Sequence, residues 1–174
     1  PPDPLEFTGT WDSELGGQVV ITQTTYSSGG LDFPIVLNDN AKEWLIIDRS
    51  EEDSEGPSFT RISWAETRRG IYICSILIDD DMAALASAPS PDDEDLSAGC
   101  FGTAWQELRE PLPFEGEWAV DTTLIDFHSF DVQMKAESSG PALYAFDAIH
   151  KDPDEPWMIL SSDDDYESFF TWQT

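Results

Sequence analysis

The side chains with the most chemistry to offer are carboxylates, which outnumber every other ionisable group. The chain holds 36 Asp and Glu against 8 Lys and Arg, with only two His. Carboxylates act as general acids and bases where they converge in a cleft. With so many of them, some pair meets any catalytic separation by chance, so spacing singles out no catalytic residue. The Gly-x-Ser-x-Gly elbow that presents a serine nucleophile does not occur.

The acids also form short clusters, and none of these has the spacing of a calcium loop. They lie at 51–53, 79–81, 92–95 and 163–165. An EF-hand alternates its ligands, whereas contiguous side chains of an extended segment point to opposite faces. We therefore predict no metal and no cofactor, and we expect the clusters to be solvated. Binding of divalent cations or of a basic partner is the alternative.

The two histidines are the remaining candidates for metal ligands. His128 lies between two phenylalanines, and a strand-surface histidine is a more ordinary interpretation there than a metal or haem ligand. His150 begins an acidic loop in which Asp152 and Asp154 offer further oxygen ligands. That triplet is a weak alternative metal site.

Cys74 and Cys100 are the only cysteines, and their even number is compatible with one disulfide. The bond would close a loop of about 27 residues and stabilise the fold by roughly 3–4 kcal/mol. Two buried free thiols are the alternative. A disulfide and a Pro-rich start at residues 1–4 are typical of exported proteins. We therefore expect an extracellular, periplasmic or cell-surface location, with a possible lipid anchor outside this sequence.

Seven tryptophans exceed what a core of this size usually requires. Aromatic side chains supply much of the contact area in concave ligand sites. We predict that Trp105, Trp44 and Trp157 contribute to binding of a small apolar ligand. The alternative is that they pack in the core, which the repeat-equivalent places of Trp44 and Trp157 favour.

The elements that would position these residues are mostly short strands with alternating polar and apolar residues. Strands are predicted at 6–12, 18–25, 33–38, 43–48, 58–65, 70–78, 114–120, 123–134, 142–149, 157–161 and 167–173. Residues 82–86 predict one short helix, capped by the acids at 79–81. The pattern indicates an all-β domain, either an antiparallel barrel or a two-sheet sandwich of about ten strands.

Residues 4–65 and 111–174 resemble two copies of one unit within a single domain of residues 1–174. The segment 4–11 recurs at 111–118, where Pro, Leu, Phe, Gly and Trp all match. Trp64 and Trp172 follow at nearly the same offset. The insertion 66–110, which contains both cysteines, has no second copy. A unit of about 60 residues buries only a small apolar core by itself. Two copies packed together would bury a larger one.

The net charge of −28 excludes a general nucleic-acid binder, because nothing in the chain neutralises a row of phosphates. It also disfavours anionic membranes, and no apolar run approaches the length of a spanning helix. Salt screens the repulsion between like charges. We therefore predict a salt-adapted, acidic surface and leave the oligomeric state open.

Two resemblances rest on short motifs. Gly9-Thr10-Trp11, echoed by Gly116-Glu117-Trp118, resembles the Gly-x-Trp motif that opens lipocalins and other calycins. That resemblance implies an up-and-down barrel that binds a small apolar ligand in its mouth. Together with Ser63-Trp64, Tyr72-Ile73-Cys74 and Gly99-Cys100, the first motif is also similar to repeated modules in uncharacterised exported proteins of marine bacteria.

Three functions remain open from the sequence. The favoured one is an exported, salt-adapted β-barrel that binds a small ligand or a partner without catalysis. The alternatives are a calycin-type enzyme that uses carboxylates in the barrel mouth and a structural surface module with no ligand.

Overall fold

The described part of the chain is built from antiparallel strands with one short α-helix, as the sequence predicts. The computed structural model describes residues 3–51, 56–78, 80–91, 96–101, 103–151, 155–162 and 167–173. The chain divides into two compact units, Pro1–Arg109 and Glu110–Thr174.

The first unit is a closed eight-stranded barrel in which each strand pairs with the next and the last pairs with the first. The strands are β1 (Gly9–Ser13), β2 (Gln18–Ile21), β3 (Thr25–Ser28), β4 (Leu31–Asp39), β5 (Trp44–Asp48), β6 (Phe59–Thr67), β7 (Gly70–Ile78) and β8 (Gln106–Arg109). This sequential order is that of an up-and-down barrel, in which closure leaves no unpaired edge. The predicted strand 18–25 is two strands, because the Thr22 hydroxyl accepts the Thr25 N–H at 3.0 Å and turns the chain.

Large apolar side chains fill the barrel interior. The buried set consists of Leu5, Phe7, Trp11, Val19, Ile21, Tyr26, Phe33, Leu45, Ile47, Ile62, Trp64, Ile73 and Leu108. The Phe7 ring stacks between the rings of Trp11 and Trp64, with centroids 4.7 and 4.9 Å apart. Gly9 is needed beneath this stack, because a Cβ there would lie 2.7 Å from the Trp11 ring.

The insertion between β7 and β8 covers part of the barrel's outer surface. Its helix α1 (Met82–Ser87) begins where the Asp81 side chain accepts the Ala84 N–H at 2.9 Å. The helix buries Leu85 against Trp44 and Ile46, which alternate along β5 with residues of the barrel interior. This packing makes a second apolar layer outside the barrel wall.

The second unit is one six-stranded antiparallel sheet. Its strands are β9 (Gly116–Val120), β10 (Thr123–Phe127), β11 (Asp131–Lys135), β12 (Ala142–Lys151), β13 (Trp157–Ser161) and β14 (Glu167–Thr171). The predicted strand 123–134 is therefore two strands. The core of this unit is formed by Leu112, Phe127, Val132, Ala148, Met158 and Leu160, with Phe114, Phe170 and Trp172 packed against them.

The six strands of the second sheet share their pairing register with β1–β6. Four cross-strand pairs of the barrel are Gly9–Ile21, Trp11–Val19, Tyr26–Phe33 and Leu45–Ile62. The equivalent pairs of the second sheet are, in the same order, Gly116–Phe127, Trp118–Ile125, Val132–Phe146 and Met158–Phe170. The fourth strand of each set has a register shift at the same place, after Ile35 and after Ala148. The segments 4–65 and 111–174 fall on these two sets of strands, and β7 and β8 come from the insertion.

Candidate functional site

The three tryptophans predicted to bind a ligand lie in three different clusters. Trp44 is buried beneath α1, and Trp105 is buried with Ala65 and the two cysteines. Trp157 belongs to the second unit, where its ring stacks on Phe169 at a centroid distance of 5.4 Å. A ligand role for each of them stays a prediction.

Arg61 is the most unusual polar residue of the barrel, because its side chain is fully buried. It lies opposite Ile46 on the outer side of β6, under the end of α1. Its Nη1 donates to the carbonyl oxygens of Leu85 at 3.1 Å and Ala88 at 2.7 Å. Burial lowers the pKa of the guanidinium, and the charge of Asp39 acts in the opposite direction.

Aromatic rings flank this guanidinium. Its central carbon lies 5.1 Å from the Trp44 ring centroid and 5.9 Å from that of Phe101. A cation over a ring face is attracted by the ring quadrupole, and more strongly where water is excluded. The rings therefore stabilise a charge that has no carboxylate partner in the described part of the chain.

Several donors around Arg61 have no hydrogen-bond partner in the described residues. They are Nε and Nη2 of Arg61, Oγ of Ser63 and Nε1 of Trp44. Ser63 lies directly opposite Trp44 on one side and Cys74 on the other, so these residues share the outer face of the barrel wall. Buried polar groups are normally paired, and a cluster of unpaired donors is therefore a candidate ligand site.

Sequence reasoning missed Arg61, and the pattern held little signal for it. In β6 the arginine occupies an outward position between the inward-facing Thr60 and Ile62, for which exposure to water is the ordinary expectation. Only the return of the chain through α1 buries it.

A shallow groove runs beside α1. It has a volume of about 450 Å³ and is lined by Leu37, Met82, Ala83, Ala86 and Ser87. Apolar side chains dominate this lining, and Leu37 and Ala86 also pack against the Trp44 cluster. The groove is a second surface of the barrel unit on which an apolar group can bind.

Among its described residues, the second unit exposes three aromatic side chains by half or more. Trp118 and Tyr144 are 52% and 65% exposed. Both lie on the core face of the sheet, which is the face of Ile125. Trp118 pairs with Ile125 from one side. Met134 pairs with Ile125 from the other side, and Tyr144 pairs with Met134. Phe169 is equally exposed on the opposite face.

The predicted histidine sites have separate outcomes. The Nε2 of His128 lies 3.2 Å from Oδ1 of Asp126, so this half-exposed histidine has a carboxylate neighbour with which it forms an ion pair when it is protonated. Asp152 and Asp154 lie outside the described residues, and so does the side chain of His150. Among the residues that are described, no three His, Cys, Asp or Glu side chains are grouped closely enough to hold a metal ion.

Comparisons with known protein families, with characterised proteins and with solved structures found no match to this chain. What the structure shows is the architecture itself, an eight-stranded antiparallel barrel and a six-stranded sheet. Cys74 and Cys100 are joined by a disulfide, as predicted. None of the described helices is long and apolar enough to cross a membrane.

Proposed function

We propose that this chain is an exported binding protein without catalytic activity, and that its partner adds an extended segment to the open sheet of the second unit. The observation that carries the proposal is the shared register of the two sheets. That register identifies, strand by strand, which parts of the second sheet lack the neighbours that the barrel has.

The two edge strands of the second sheet correspond to strands that are covered in the barrel. There, β6 pairs with β7 and β1 pairs with β8. The corresponding strands β14 and β9 each pair with one neighbour among the described residues, β13 and β10. Edge strands of this kind offer a row of backbone donors and acceptors to an added strand.

The difference in pairing accompanies a difference in burial at equivalent positions. Trp11 in β1 is 6% exposed, whereas the equivalent Trp118 in β9 is 52% exposed. Val120, two residues further along β9 on the same face, is 55% exposed. An added strand with apolar residues on that side would cover both, and exposed apolar surface of this kind marks interaction sites.

Charge narrows the chemistry of the partner. Residues 110–174 contain 15 Asp and Glu and only two Lys. The Nζ of Lys135 is already bound to Asp126 at 3.0 Å, and Glu117 and Glu167 lie on the two edge strands themselves. A segment that alternates apolar residues with Lys or Arg therefore complements this sheet on both of its faces.

The disulfide and the acidity support the location in the proposal. A disulfide that persists is typical of an oxidising compartment, which favours an extracellular, periplasmic or cell-surface protein. A net charge of −28 is most easily tolerated in salt. The resemblance to calycins supports binding of a small apolar ligand in addition to the extended segment. The groove beside α1 is the candidate surface for that ligand.

The test uses a synthetic ten-residue peptide that alternates Lys with Val and Phe. We expect saturable binding, and hydrogen exchange should slow at 116–120, where Trp118 and Val120 are exposed, while the central strands β11 and β12 keep their rates. Trp118→Ser should weaken binding by about tenfold or more, which is about 1.4 kcal/mol. Tyr144→Ser is the matched control, because it removes an exposed aromatic from a strand inside the sheet.

Three outcomes would contradict the proposal. A peptide with Glu in place of Lys that binds equally well would remove the argument from charge. Binding that leaves the exchange of both edge strands unchanged would show attraction to the acidic surface alone. Failure of every peptide to bind would favour the structural surface module.

A further inference from the structure

The two unpaired nitrogens of Arg61 belong to the same edge of its guanidinium. Nε and Nη2 point their hydrogens in parallel, and this edge is the fork that holds a carboxylate with two hydrogen bonds. Nη1, on the other side, is occupied by the carbonyl oxygens of Leu85 and Ala88. Arg61 is thus fixed at one end and unpaired at the other.

Two neighbouring residues on the outer face of the barrel wall also carry buried polar groups that have no hydrogen-bond partner among the described residues. Ser63 lies two residues along β6 on the same face, and its Oγ is buried and unpaired. The Trp44 ring flanks the guanidinium at 5.1 Å and its Nε1 is also unpaired. An acceptor with two or more oxygens would satisfy several of these groups at once.

We propose that Arg61, Ser63 and Trp44 form a buried oxyanion site on the outer wall of the barrel, and that its ligand is a small carboxylate. A buried charge without a counter-ion raises the free energy of the folded protein. A bound anion would lower that free energy, and this favours its binding. Water could accept single hydrogen bonds here but would leave the charge uncompensated. The planar fork favours a carboxylate over a spherical ion such as chloride.

The protein's own acids do not take this place in the described structure. Asp39 is the acid whose charge reaches Arg61, yet its oxygens are committed elsewhere. Its Oδ1 accepts the Lys42 N–H at 3.1 Å, and its Oδ2 lies 3.4 Å from Lys42 Nζ.

Helix α1 covers the site, so a ligand enters only when the helix moves. The helix is six residues long, and its end is bound to Arg61 through the Leu85 and Ala88 carbonyls. A ligand reaches the fork when this segment moves away from the wall. Short helices owe their stability to packing rather than to propensity, so we expect slow but measurable exchange.

The experiment follows the side-chain N–H signals of arginine and tryptophan by NMR in the ¹⁵N-labelled full chain. Sodium acetate replaces sodium chloride at constant ionic strength, and parallel titrations use phosphate and sulfate. We expect one arginine Nε–H and one or more tryptophan Nε1–H signals to change saturably with acetate. Unchanged signals in all three titrations would overturn the site, and preference for phosphate or sulfate would overturn the carboxylate assignment.

Variants assign the response to Arg61. Acetate that binds the folded protein should raise its melting temperature. Arg61→Lys keeps the charge and removes the fork, so this rise should disappear. Arg49→Lys is the matched control, because Arg49 also lies over an aromatic ring, that of Phe33 at 5.4 Å. An equal loss in both variants would overturn the proposal, and the titration of the unaltered protein decides the question if Arg61→Lys does not fold.

Discussion

Asp126 lies on the face of the second sheet opposite the buried Phe127, and its carboxylate has two basic neighbours. Its Oδ2 accepts a hydrogen bond from Lys135 Nζ at 3.0 Å, and its Oδ1 lies 3.2 Å from His128 Nε2. Burial alone would raise the pKa of this carboxyl. The hydrogen bond from Lys135 and the charges of His128 and Lys135 outweigh burial and lower its pKa.

We predict that Asp126→Asn lowers the melting temperature at pH 7 and that this difference disappears in acid. The folded-state pKa is below the unfolded value of about 3.9, so Asp126 stabilises the fold above that pH. The contribution is lost as pH falls through the folded pKa. Melting curves from pH 7 to 2.5 measure it.

Asp147→Asn provides the control for this comparison. Asp147 lies on the same face of the sheet and is exposed. If both variants shift the curve equally at every pH, the interaction with Lys135 and His128 contributes nothing to stability.

Among the elements, the insertion depends on one covalent link to the barrel. Cys74 in β7 is joined to Cys100, which is fully buried, and their Cα atoms are 6.2 Å apart. The link holds the chain after α1 against the barrel wall, where Trp105 and Ala65 pack around it. It therefore also helps to keep the cover over Arg61 in place.

Removing this disulfide should destabilise the first unit and loosen the insertion. A loop of this length gives an expected loss of about 3–4 kcal/mol in the free energy of unfolding. Hydrogen exchange should rise most in residues 80–91 of a Cys74→Ser, Cys100→Ser double variant, with β2 and β3 as internal controls. Titration of the unreduced, denatured protein should find no thiol, and two titratable thiols would refute the disulfide.

At the scale of the whole molecule, the excess of acids is the dominant physical property. The charges lie closer together in the folded chain than in the expanded one, so their repulsion opposes folding. Only eight Lys and Arg offset 36 Asp and Glu, and some of these cations are already paired, such as Arg109 with Glu107 at 2.9 Å.

We predict that the melting temperature rises steeply from low salt to about 1 M NaCl, where the screening length is about 3 Å. Potassium chloride should act like sodium chloride, because screening depends on ionic strength. A calcium site would instead saturate at a far lower concentration, with magnesium a poor substitute. A melting temperature that ignores NaCl and rises sharply with sub-millimolar calcium would contradict this prediction.

Most of the strands, and helix α1, were predictable from the sequence by itself. Alternating β-branched and aromatic residues specify strands, because they fit a half-buried pleated surface. Asp81 and the residues after it predicted α1, because a side-chain cap and good helix formers act within one turn. An even number of two cysteines made a disulfide between Cys74 and Cys100 the expectation, with two buried free thiols as the alternative, and the structure contains the disulfide.

The tertiary structure decided the features that depend on contacts distant in sequence. Strand β8, Gln106–Arg109, has no apolar alternation, and it is a strand because β1 and β7 hydrogen-bond to its two sides. The first sheet therefore closes, whereas β9 and β14 each pair with one neighbour among the described residues, although the two sheets share a register. From the sequence, Arg61 is expected at the surface, but in the structure α1 packs over it and buries it. Burial depends on what covers a side chain and not on its own strand.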